Sequence, residues 1–382
     1  MKIAIFTDTF LPDVNGVAKT LGRLTRYLDK TNHSYIVISP KRSRKEQGTK
    51  QIYLQSSFPF PLYPDCRISV PNKNEIKELL HSFNPDIIHV ATAFSIGLCG
   101  IRYAKKFDIP LVGSYHTDFD HYLQYYHLPL LSKPLWRYME WFHQSMARIF
   151  VPSTYTFEQL NKRNFSNIQV WERGVDSSIF HPNYSKDQIR QKYNISKKYI
   201  LSYVGRLAPE KNMDTLCYLI NHMSAEFNDQ IHWMIVGDGP AKASLESQIE
   251  NNNVTFTGFL PQKRVAEIVA SSECFVFPSE SETFGNVVLE ALACGTAVVG
   301  ANAGGVKTII KESFTGILCD KGDYSMYLTA IASILGNDSW RKQLEENAVR
   351  YAHKQKWEDR FEELLAAYQA VISHKQTITL EA

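Results

Sequence analysis

The sequence predicts an α/β protein made of two Rossmann-like domains, each built on a parallel sheet. With 382 residues, the chain is long enough for two domains of ~150 residues. Short β-branched runs alternate with amphipathic segments, and this alternation starts again in the second half of the chain. Hydrophobic residues make up 44% of the sequence and charged residues 21%, which excludes a disordered or disulfide-scaffold protein.

Five strands separated by helices are predicted in the first half. The apolar run Lys2–Thr7 is typical of a buried strand, and the amphipathic pattern Gly16–Leu28 indicates a helix after it. Further strands are predicted at Tyr35–Ser39, Ile87–Val90, Pro110–Ser114 and Ile149–Val151. The corresponding helices are Lys73–Phe83, Ser95–Phe107 and Pro134–Met146. Strands that alternate with helices in this way form a parallel sheet covered on both faces.

The second half repeats the pattern. Strands are predicted at Tyr199–Val204, Ile231–Val236, Val254–Thr257, Cys274–Phe277 and Ala297–Gly300. The helices between and after them are Asn212–Met223, Ala241–Asn251, Arg264–Ala270 and Val287–Ala293. The Gly-, Ser- and Pro-containing segment Arg173–Pro182 suits a hinge, so we expect domains at residues 1–175 and 176–355. Only helices are predicted after Tyr324, and the last, 356–375, carries an apolar stripe that must dock on another surface.

Charge and cysteine usage narrow the class of protein. The net charge of +3 is too small to indicate nucleic-acid binding. Residues 1–176 carry 22 basic and 15 acidic side chains, a balance of +7, which leaves −4 for the remainder. None of the six cysteines belongs to a CxxC pair, which indicates reduced thiols and a cytoplasmic protein. No segment reaches the ~18 apolar residues of a membrane span.

The basic first half of the chain leaves open the interpretation that it contacts a membrane surface. The basic stretch Lys41–Lys45, with Lys50, is followed by the apolar segment Phe58–Tyr63. Such a stretch is either a solvated loop or a contact with anionic lipid headgroups, and we weigh the two interpretations evenly. The expected location is therefore the cytoplasm, with peripheral association at the inner face of the cell membrane as the open alternative.

Two glutamates follow the predicted strand Cys274–Phe277 with a spacing that suits a ligand. Glu282 precedes the next helix, and Glu290 lies in its second turn. Carboxylates at these places can accept hydrogen bonds from hydroxyl groups of one ligand. The backbone amides that can hold phosphate oxygens between them are those of Phe284, Gly285 and Asn286. The alternative for either glutamate alone is a favourable charge near the helix dipole or an exposed helical position.

Two cations follow the first strand of the second half. Arg206 comes directly after the strand end at Gly205, and Lys211 precedes the next helix. An arginine suited to bidentate contact and a lysine acting as a point charge are what a diphosphate requires. Ordinary surface cations are the alternative for either residue alone.

Three further loops give weaker signals. Gly237-Asp-Gly239 lacks the third glycine of a dinucleotide fingerprint, so we interpret it as a tight turn that lines a nucleotide. Phe259 and Leu260 are expected to face the nucleotide base. The pair Gly304-Gly305 permits close approach to a backbone, with an ordinary loop as its alternative.

In the first half, two strand ends carry candidate residues. Gly16 begins a predicted helix where a phosphate could approach, although Asn15 is equally well explained as the helix N-cap. His116 and Asp118 follow the strand Pro110–Ser114 in a run rich in aromatic and hydroxyl groups, which suits a sugar. His121 and His127 lack the spacing of helical zinc ligands, so we expect no metal site.

Several of these motifs together resemble glycosyltransferase family 4, retaining enzymes of the GT-B fold. The resemblance covers nearly the whole chain. It rests on the motifs Asn15-Gly16-Val17, Tyr115-His116-Thr117, Val204-Gly-Arg206-Leu-Ala-Pro-Glu-Lys211, Val236-Gly-Asp-Gly-Pro240 and Pro278-Ser-Glu-Ser-Glu282-Thr-Phe-Gly with Glu290 eight residues after Glu282. Within the family, the residues of the motifs at Tyr115 and at Pro278 are similar to those of one branch. That branch contains sulfoquinovosyl-diacylglycerol synthases and bacterial α-mannosyl- and α-glucosyltransferases that act on lipids.

This resemblance implies a role for each site residue. Arg206 and Lys211 would neutralise the leaving diphosphate, and Glu290 would bind the ribose. Glu282 and His116 would contact the donor sugar. It also implies two domains that face a cleft, and a last helix that crosses back to the first domain. Members of this type need no metal or other cofactor, since a UDP- or GDP-sugar is the co-substrate. The amides that would complete the phosphate and sugar cradle belong to Gly16, Phe284 and Gly285.

The leading functional hypothesis is therefore a retaining hexosyltransferase that uses a UDP- or GDP-sugar and a lipid or glycan acceptor at a membrane surface. A nucleotide-sugar epimerase of similar shape is one alternative, and it would turn over donor without acceptor. A non-catalytic sugar-nucleotide-binding protein is another, although none of the charged motifs is missing from the chain.

Overall fold

The chain divides into two compact units in a computed structural model that describes residues 1–13, 15–43, 46–60, 63–116 and 129–381. Among the described residues, the N-terminal unit comprises 1–116, Pro129–Glu172 and 358–381, and the C-terminal unit is Arg173–Trp357. The boundary at Glu172 lies at the start of the predicted hinge segment, three residues before the expected domain limit at 175.

The N-terminal unit is built on a parallel sheet that, over the described residues, has seven strands in the order β3-β2-β1-β6-β7-β8-β9. Its strands are β1 Lys2–Phe6, β2 Ser34–Pro40, β3 Ile52–Gln55, β4 Ser57–Phe60, β5 Tyr63–Ser69, β6 Ile87–Val90, β7 Leu111–Ser114, β8 Arg148–Val151 and β9 Ile168–Val170. Strands β4 and β5 pair separately as an antiparallel ribbon. The helices are α1 Gly16–Leu28, α2 Lys73–Phe83, α3 Ser95–Lys106, α4 Ser132–His143 and α5 Thr154–Asn161.

The C-terminal unit has a second parallel sheet with six strands among the described residues, in the order β12-β11-β10-β13-β14-β15. Its strands are β10 Tyr199–Val204, β11 Ile231–Val236, β12 Val254–Gly258, β13 Cys274–Phe277, β14 Ala297–Ala301 and β15 Gly316–Cys319. Its helices are α6 Lys186–Lys192, α7 Met213–Asn221, α8 Ala225–Asn228, α9 Lys242–Gln248, α10 Gln262–Ala270, α11 Asn286–Ala293, α12 Val306–Ile309, α13 Tyr324–Gly336 and α14 Asp338–Ala352.

The last helix, α15 (Trp357–Glu381), packs on the N-terminal unit, to which its residues 358–381 belong. Its apolar stripe explains this position, because Phe361, Leu364 and Tyr368 are buried there. The hydrogen bond between Tyr368 and His89 of β6 fixes it to the sheet. The expectation that the last helix crosses back to the first domain is confirmed.

The central strands of both sheets are continuous apolar runs because helices cover both faces. Every residue from Ile3 to Phe6 is fully buried, and so is the whole of Cys274–Phe277. In the described part of the chain, no helix is both long and apolar enough to cross a bilayer. The cysteines whose side chains are described are buried free thiols, in agreement with the sequence: Cys99, Cys217, Cys274, Cys294 and Cys319.

The sequence prediction missed the short elements at the edges of the sheets. Strands β3, β4, β5, β9 and β15 were not predicted. All three residues of β9 are only half-buried, so its sequence lacks the apolar run that marks a central strand. Helices α5, α6, α8 and α12 are four to eight residues long, too short for a clear helical period.

Each sheet has one position where the chain reverses the direction in which it adds strands. In the C-terminal unit this occurs between β10 and β13, which are hydrogen-bonded neighbours. The loops that leave such a pair diverge and create a crevice at the carboxyl ends of the strands. The segments with Arg206 and Lys211, and with Glu282, follow these two strands and therefore meet at this crevice.

Candidate active site

The predicted residues of the C-terminal unit lie in one row at the carboxyl edge of its sheet. The order of the strands fixes the order of their loops. Across the sheet, the row contains Phe259 after β12, Gly237 after β11, Arg206 and Lys211 after β10, Glu282 after β13, Gly304 after β14 and Lys321 after β15. Lys211 and Glu282, which are 71 residues apart in the sequence, are thereby placed side by side.

Lys211 and Glu282 form an ion pair at the centre of this row. The Lys211 Nζ atom lies 2.6 Å from Glu282 Oε1 and 3.4 Å from the hydroxyl of Ser281. The exposed fractions of the two side chains are 12% and 23%, so the pair is only partly accessible to water. A carboxylate that accepts one hydrogen bond from lysine keeps further acceptor positions, which can receive sugar hydroxyl groups.

The loop that carries Glu282 is tied to the loop that carries Lys211. Asn212 donates from Nδ2 to the Pro278 carbonyl at 3.1 Å and to Glu280 Oε1 at 2.7 Å. The Ser281 hydroxyl donates to the carbonyl of Glu210 at 2.8 Å. These bonds hold the two charged loops in fixed register before any ligand arrives, which is the preorganisation that electrostatic catalysis requires.

Asn212 is a positioning residue that the sequence prediction did not identify. Its backbone has φ +55°, the left-handed conformation, between the 3₁₀ turn Pro209–Lys211 and helix α7. Asparagine tolerates this conformation better than other residues with a side chain. The Lys-Asn sequence at a helix start was the signal that could have indicated this turn. Lys321 supports the same loop from the other side, with an ion pair to Glu280 at 2.9 Å.

Gly304 and Gly305 press against the backbone of the Glu282 loop. A Cβ atom on Gly304 would lie 2.5 Å from the Glu282 carbonyl oxygen, and one on Gly305 would lie 2.5 Å from the Phe284 Cα. The Gly305 amide donates to the Glu282 carbonyl at 2.6 Å. The close approach that the sequence indicated at this pair is therefore to another loop of the protein.

Gly237 has the same relationship to the Arg206 loop. A Cβ atom on Gly237, whose φ is +139°, would lie 1.8 Å from the carbonyl oxygen of Gly205. The Leu207 amide donates to the carbonyl of Asp238 at 2.9 Å, which fixes the strand end next to Arg206. This turn packs so closely on the segment that supports Arg206 that only glycine fits, because any side chain would collide with the backbone of that segment.

Helix α11 begins at Asn286, directly after the glutamate loop and one residue before the predicted start at Val287. Gly285 has φ +103° and is the residue before the helix, Phe284 is buried, and Asn286 is half-buried. The first amides of a helix have no intrahelical acceptors and carry the positive end of its dipole. Glu290 lies one turn further along this helix and is half-buried.

Phe259 is the most exposed aromatic residue of the row, with 71% of its surface accessible. It follows Gly258, whose carbonyl accepts a hydrogen bond from the Gly237 amide at 3.0 Å. Leu260 is half-buried and packs against the core of the C-terminal unit. The loop thus presents a flat ring beside the Gly237 turn, as a base-stacking position would require.

In the N-terminal unit, Asn15 is the N-cap of helix α1. Its Oδ1 accepts a hydrogen bond from the Ala18 amide at 2.9 Å, and its Nδ2 donates to the Thr9 hydroxyl at 2.8 Å. Gly16 is the exposed first residue of the helix. The interpretation of Asn15 as the N-cap is thus confirmed, and both polar atoms of its side chain form hydrogen bonds within the protein.

His116 lies two residues after β7 and is half-buried. Its ring centroid is 6.3 Å from that of Trp171. Asp118, His121 and His127 lie outside the described residues. In the described part of the chain, no group of three or more His, Cys, Asp or Glu side chains is placed to hold a metal ion.

Asp8 is a buried carboxylate that the sequence prediction did not single out. It follows β1, and its oxygens accept hydrogen bonds from the hydroxyl of Thr92 at 2.8 Å and from the amide of Ile96 at 2.9 Å. Burial raises its pKa, while these hydrogen bonds act in the opposite direction. A carboxylate is favourable here because it lies beside the start of α3 and accepts hydrogen bonds from backbone amides of the first turn of that helix.

Comparison with known proteins identifies the family. The model described as Glycosyltransferase Family 4 matches residues 14–179, and that described as Glycosyl transferases group 1 matches residues 185–351. A GDP-mannose-dependent alpha-mannosyltransferase of Mycobacterium tuberculosis is 31% identical over 99% of this chain and 98% of its own length. The chain belongs to glycosyltransferase family 4. The family and the enzyme class expected from the motifs are therefore confirmed.

Two more distant relatives of this glycosyltransferase fall in the branch indicated by the motifs. A sulfoquinovosyl transferase of Arabidopsis thaliana is 29% identical over 93% of this chain and 71% of its own length. An alpha-monoglucosyldiacylglycerol synthase of Streptococcus pneumoniae is 28% identical over 83% and 75%. Among solved structures, a sucrose-phosphate synthase from Thermosynechococcus elongatus has TM-score 0.80, 18% identity and coverage of 98% and 100%, which supports the predicted GT-B fold.

Proposed function

We propose that this glycosyltransferase moves a hexose, with retention, from a GDP- or UDP-sugar to a lipid or glycan acceptor, and that GDP-mannose is the first donor to test. The observation that carries the proposal is the Lys211–Glu282 pair at the crevice between β10 and β13, in the same row as Arg206. The choice of donor is supported by the mannosyltransferase that is 31% identical over nearly the whole chain.

In the proposed reaction, the bond between the anomeric carbon and the diphosphate oxygen breaks. The acceptor hydroxyl oxygen bonds to that carbon on the same face, and its proton passes to the departing phosphate oxygen. Negative charge grows on the diphosphate as it leaves, so preplaced cations and helix amides lower the barrier. Arg206 and Lys211 supply the cations, and the start of α11 at Phe284, Gly285 and Asn286 supplies the amides.

The remaining residues would orient the donor. Glu282 would accept hydrogen bonds from sugar hydroxyl groups with the acceptor positions that Lys211 leaves open, and Glu290 would bind the ribose. Phe259, with Leu260 beside it, would stack on the base, and Gly237 would line the nucleotide. For His116 and Asp118 we propose contacts with the sugar, and for Gly16 an amide contact with the donor. Because two cations neutralise the diphosphate, the reaction would need no metal.

We further propose that the acceptor is reached at an anionic membrane surface through the outward face of α4 and the turn before it. Leu130 is 91% exposed and Trp141 60%, and Lys133 and Arg137 are exposed on the same helical stripe. Cations beside exposed apolar side chains match anionic headgroups above an acyl boundary. A lipid acceptor is in keeping with the glucosyldiacylglycerol synthase among the relatives.

Within the basic stretch Lys41–Lys45, which the sequence left open as a lipid contact, Arg42 is already paired inside the protein. It forms ion pairs with Asp13 and with Glu46, the latter at 3.5 Å. Its Nη2 also donates to the Phe10 carbonyl at 2.8 Å. Residues 44–45 lie outside the described part of the chain. The α4 face is therefore the better supported contact with lipid.

A donor and acceptor screen tests the reaction. The enzyme is incubated with GDP-mannose, GDP-glucose, UDP-glucose and UDP-galactose, with extracted lipids or glycans, in the presence and absence of EDTA. We expect acceptor-dependent release of GDP from GDP-mannose that EDTA does not reduce, and an α-linked product by NMR. Release of UDP alone would contradict the choice of donor. Conversion of the donor to another sugar without acceptor would indicate an epimerase.

Vesicle co-sedimentation tests the membrane surface. The variant Trp141→Ser should bind vesicles of phosphatidylglycerol and phosphatidylcholine at least about fivefold more weakly than the wild type, because it loses an interfacial aromatic anchor. Arg42→Gln is the matched control, since its charge is already paired within the protein. Equal binding of the Trp141→Ser variant, or binding unaffected by the anionic lipid, would contradict the proposal.

A further inference from the structure

A buried polar chain in the N-terminal unit links α15 to the strand end that carries His116. His89 lies in β6 and is fully buried. Its Nδ1 atom is 2.5 Å from the Tyr368 hydroxyl on α15, and its Nε2 atom is 2.7 Å from the Ser114 hydroxyl. Ser114 is the last residue of β7, two positions before His116. The C-terminal helix is therefore two hydrogen bonds away from this strand end.

Aromatic rings enclose the chain. Trp171, which follows β9, has its ring centroid 6.5 Å from that of His89 and 6.3 Å from that of His116. Its indole Nε1 donates to the Arg360 carbonyl of α15 at 2.9 Å. Phe150 packs 5.9 Å from the Tyr368 ring. The bonds of Tyr368 to β6 and of Trp171 to α15 thus both adjoin the surroundings of His116.

The partners of His89 determine its tautomer. A neutral imidazole has one N–H donor and one acceptor nitrogen. The direction that links the chain has the Tyr368 phenol donate to Nδ1. Burial raises the pKa of Tyr368 well above its ordinary value, so the phenol keeps the proton that this direction needs. The hydrogen of the ring is then on Nε2, which donates to Ser114 Oγ. In this direction both ring nitrogens of His89 have a hydrogen-bond partner, as burial requires.

We infer that His89 is a positioning residue for sugar transfer: held by Tyr368 of the docked α15, it fixes Ser114 and thereby the orientation of the strand end that presents His116. The inference rests on the role proposed for His116 in contacting the donor sugar. It also makes the C-terminal helix part of the catalytic apparatus, because the chain is incomplete without Tyr368.

Two conservative variants test the chain. Tyr368→Phe and Ser114→Ala each remove one hydroxyl group and leave the packing nearly unchanged. We expect each to lower kcat by about fivefold to tenfold, the effect of one lost hydrogen bond on orientation. The double variant should lose no more than about twofold beyond either single variant, because both act through the His89 ring. The dissociation constant of the released nucleotide should change less than twofold.

Tyr103→Phe is the matched control in the same unit. Tyr103 is buried, and its hydroxyl donates to the Lys73 carbonyl, away from His116. This variant should lower the melting temperature about as much as Tyr368→Phe without changing kcat. Equal kcat for Tyr368→Phe and the wild type, or multiplicative losses in the double variant, would overturn the inference.

A spectroscopic measurement tests the chain without a donor. In protein labelled with nitrogen-15 histidine, His89 should show the Nε2–H tautomer, and this preference should weaken in Tyr368→Phe. A wild-type Nδ1–H tautomer would overturn the inference even if sugar transfer is observed. If no donor is turned over, the proposed function fails, while the tautomer still decides whether the chain exists.

Discussion

The carboxyl edges of the two sheets differ in how they use charge. In the C-terminal unit, Lys211 and Glu282 pair across two loops at a partly accessible crevice. In the N-terminal unit, the carboxylate of Asp8 accepts a hydrogen bond from the start of α3, and Arg42 forms ion pairs with Asp13 and Glu46. One edge therefore keeps charges that a ligand can take over, whereas the other uses the charges named here to hold its own loops. This difference is in keeping with the proposal that the first edge holds the donor diphosphate.

The largest expected effect tests the charged edge. Lys211→Ala should lower kcat/KM for the donor by about 10³-fold, or about 4 kcal/mol, because it removes a preplaced cation and leaves Glu282 unpaired beside the diphosphate. Initial rates of nucleotide release measure this effect. Lys186→Ala is the control: it removes the same charge from an ion pair with Glu273, a residue that precedes β13 at the opposite edge of the sheet. Full activity of Lys211→Ala would remove the basis of the comparison.

The next effect concerns a neutral group of the N-terminal unit. Burial lowers the pKa of His143 to about 4, below its ordinary value of 6.5. The unfolded chain therefore binds more protons between these values, so stability falls as the pH drops from 6.5 toward 4. Between pH 7 and pH 5 the loss should be about 2 kcal/mol. His143→Phe should remove this part of the slope in denaturant unfolding, and an unchanged slope would contradict the buried neutral state.

The smallest effect tests how the charged loops are held. Gly304→Ala should lower kcat/KM for the donor by about tenfold, because its Cβ atom displaces the Glu282 carbonyl. Gly322→Ala is matched in backbone conformation, with φ +74° against +55°, but its Cβ atom would meet no atom within 4 Å. It should lose about 1 kcal/mol of stability through strain and keep its activity. Equal activities of the two variants would show that the Gly304 contact does not position Glu282.

The parts of the fold that the sequence predicted are those with a continuous apolar run. Ile87–Val90, Tyr199–Val204 and Cys274–Phe277 have the predicted bounds, because central parallel strands are buried on both faces. Edge strands such as β9 are half exposed and lack that pattern. Their pairing depends on partners far along the chain, which local patterns do not contain.

The candidate site shows a similar limit. Lys211 and Glu282 could be found because each lies in a loop between a buried strand and a helix, where a charged side chain needs an explanation. His89 could not, because a histidine inside the apolar run Ile87–Val90 resembles any buried histidine until Tyr368 and Ser114 are placed beside it. The roles of Gly237 and Gly304 also depend on contacts between loops. The sequence indicated a tight turn at Gly237 and a close approach at Gly304, but not that both glycines pack against other loops of the protein.

The ion pair between Lys211 and Glu282 also governs how the crevice responds to anions that carry no sugar. A free phosphate that takes over Lys211 must break a 2.6 Å contact and leaves a carboxylate facing another negative charge. A nucleotide sugar brings hydroxyl groups that can donate to that carboxylate as the lysine turns to the diphosphate. The cost of opening the pair is thus offset only when both halves of the donor arrive together. If the proposed function holds, the pair that receives the donor therefore also disfavours small anions that carry no sugar.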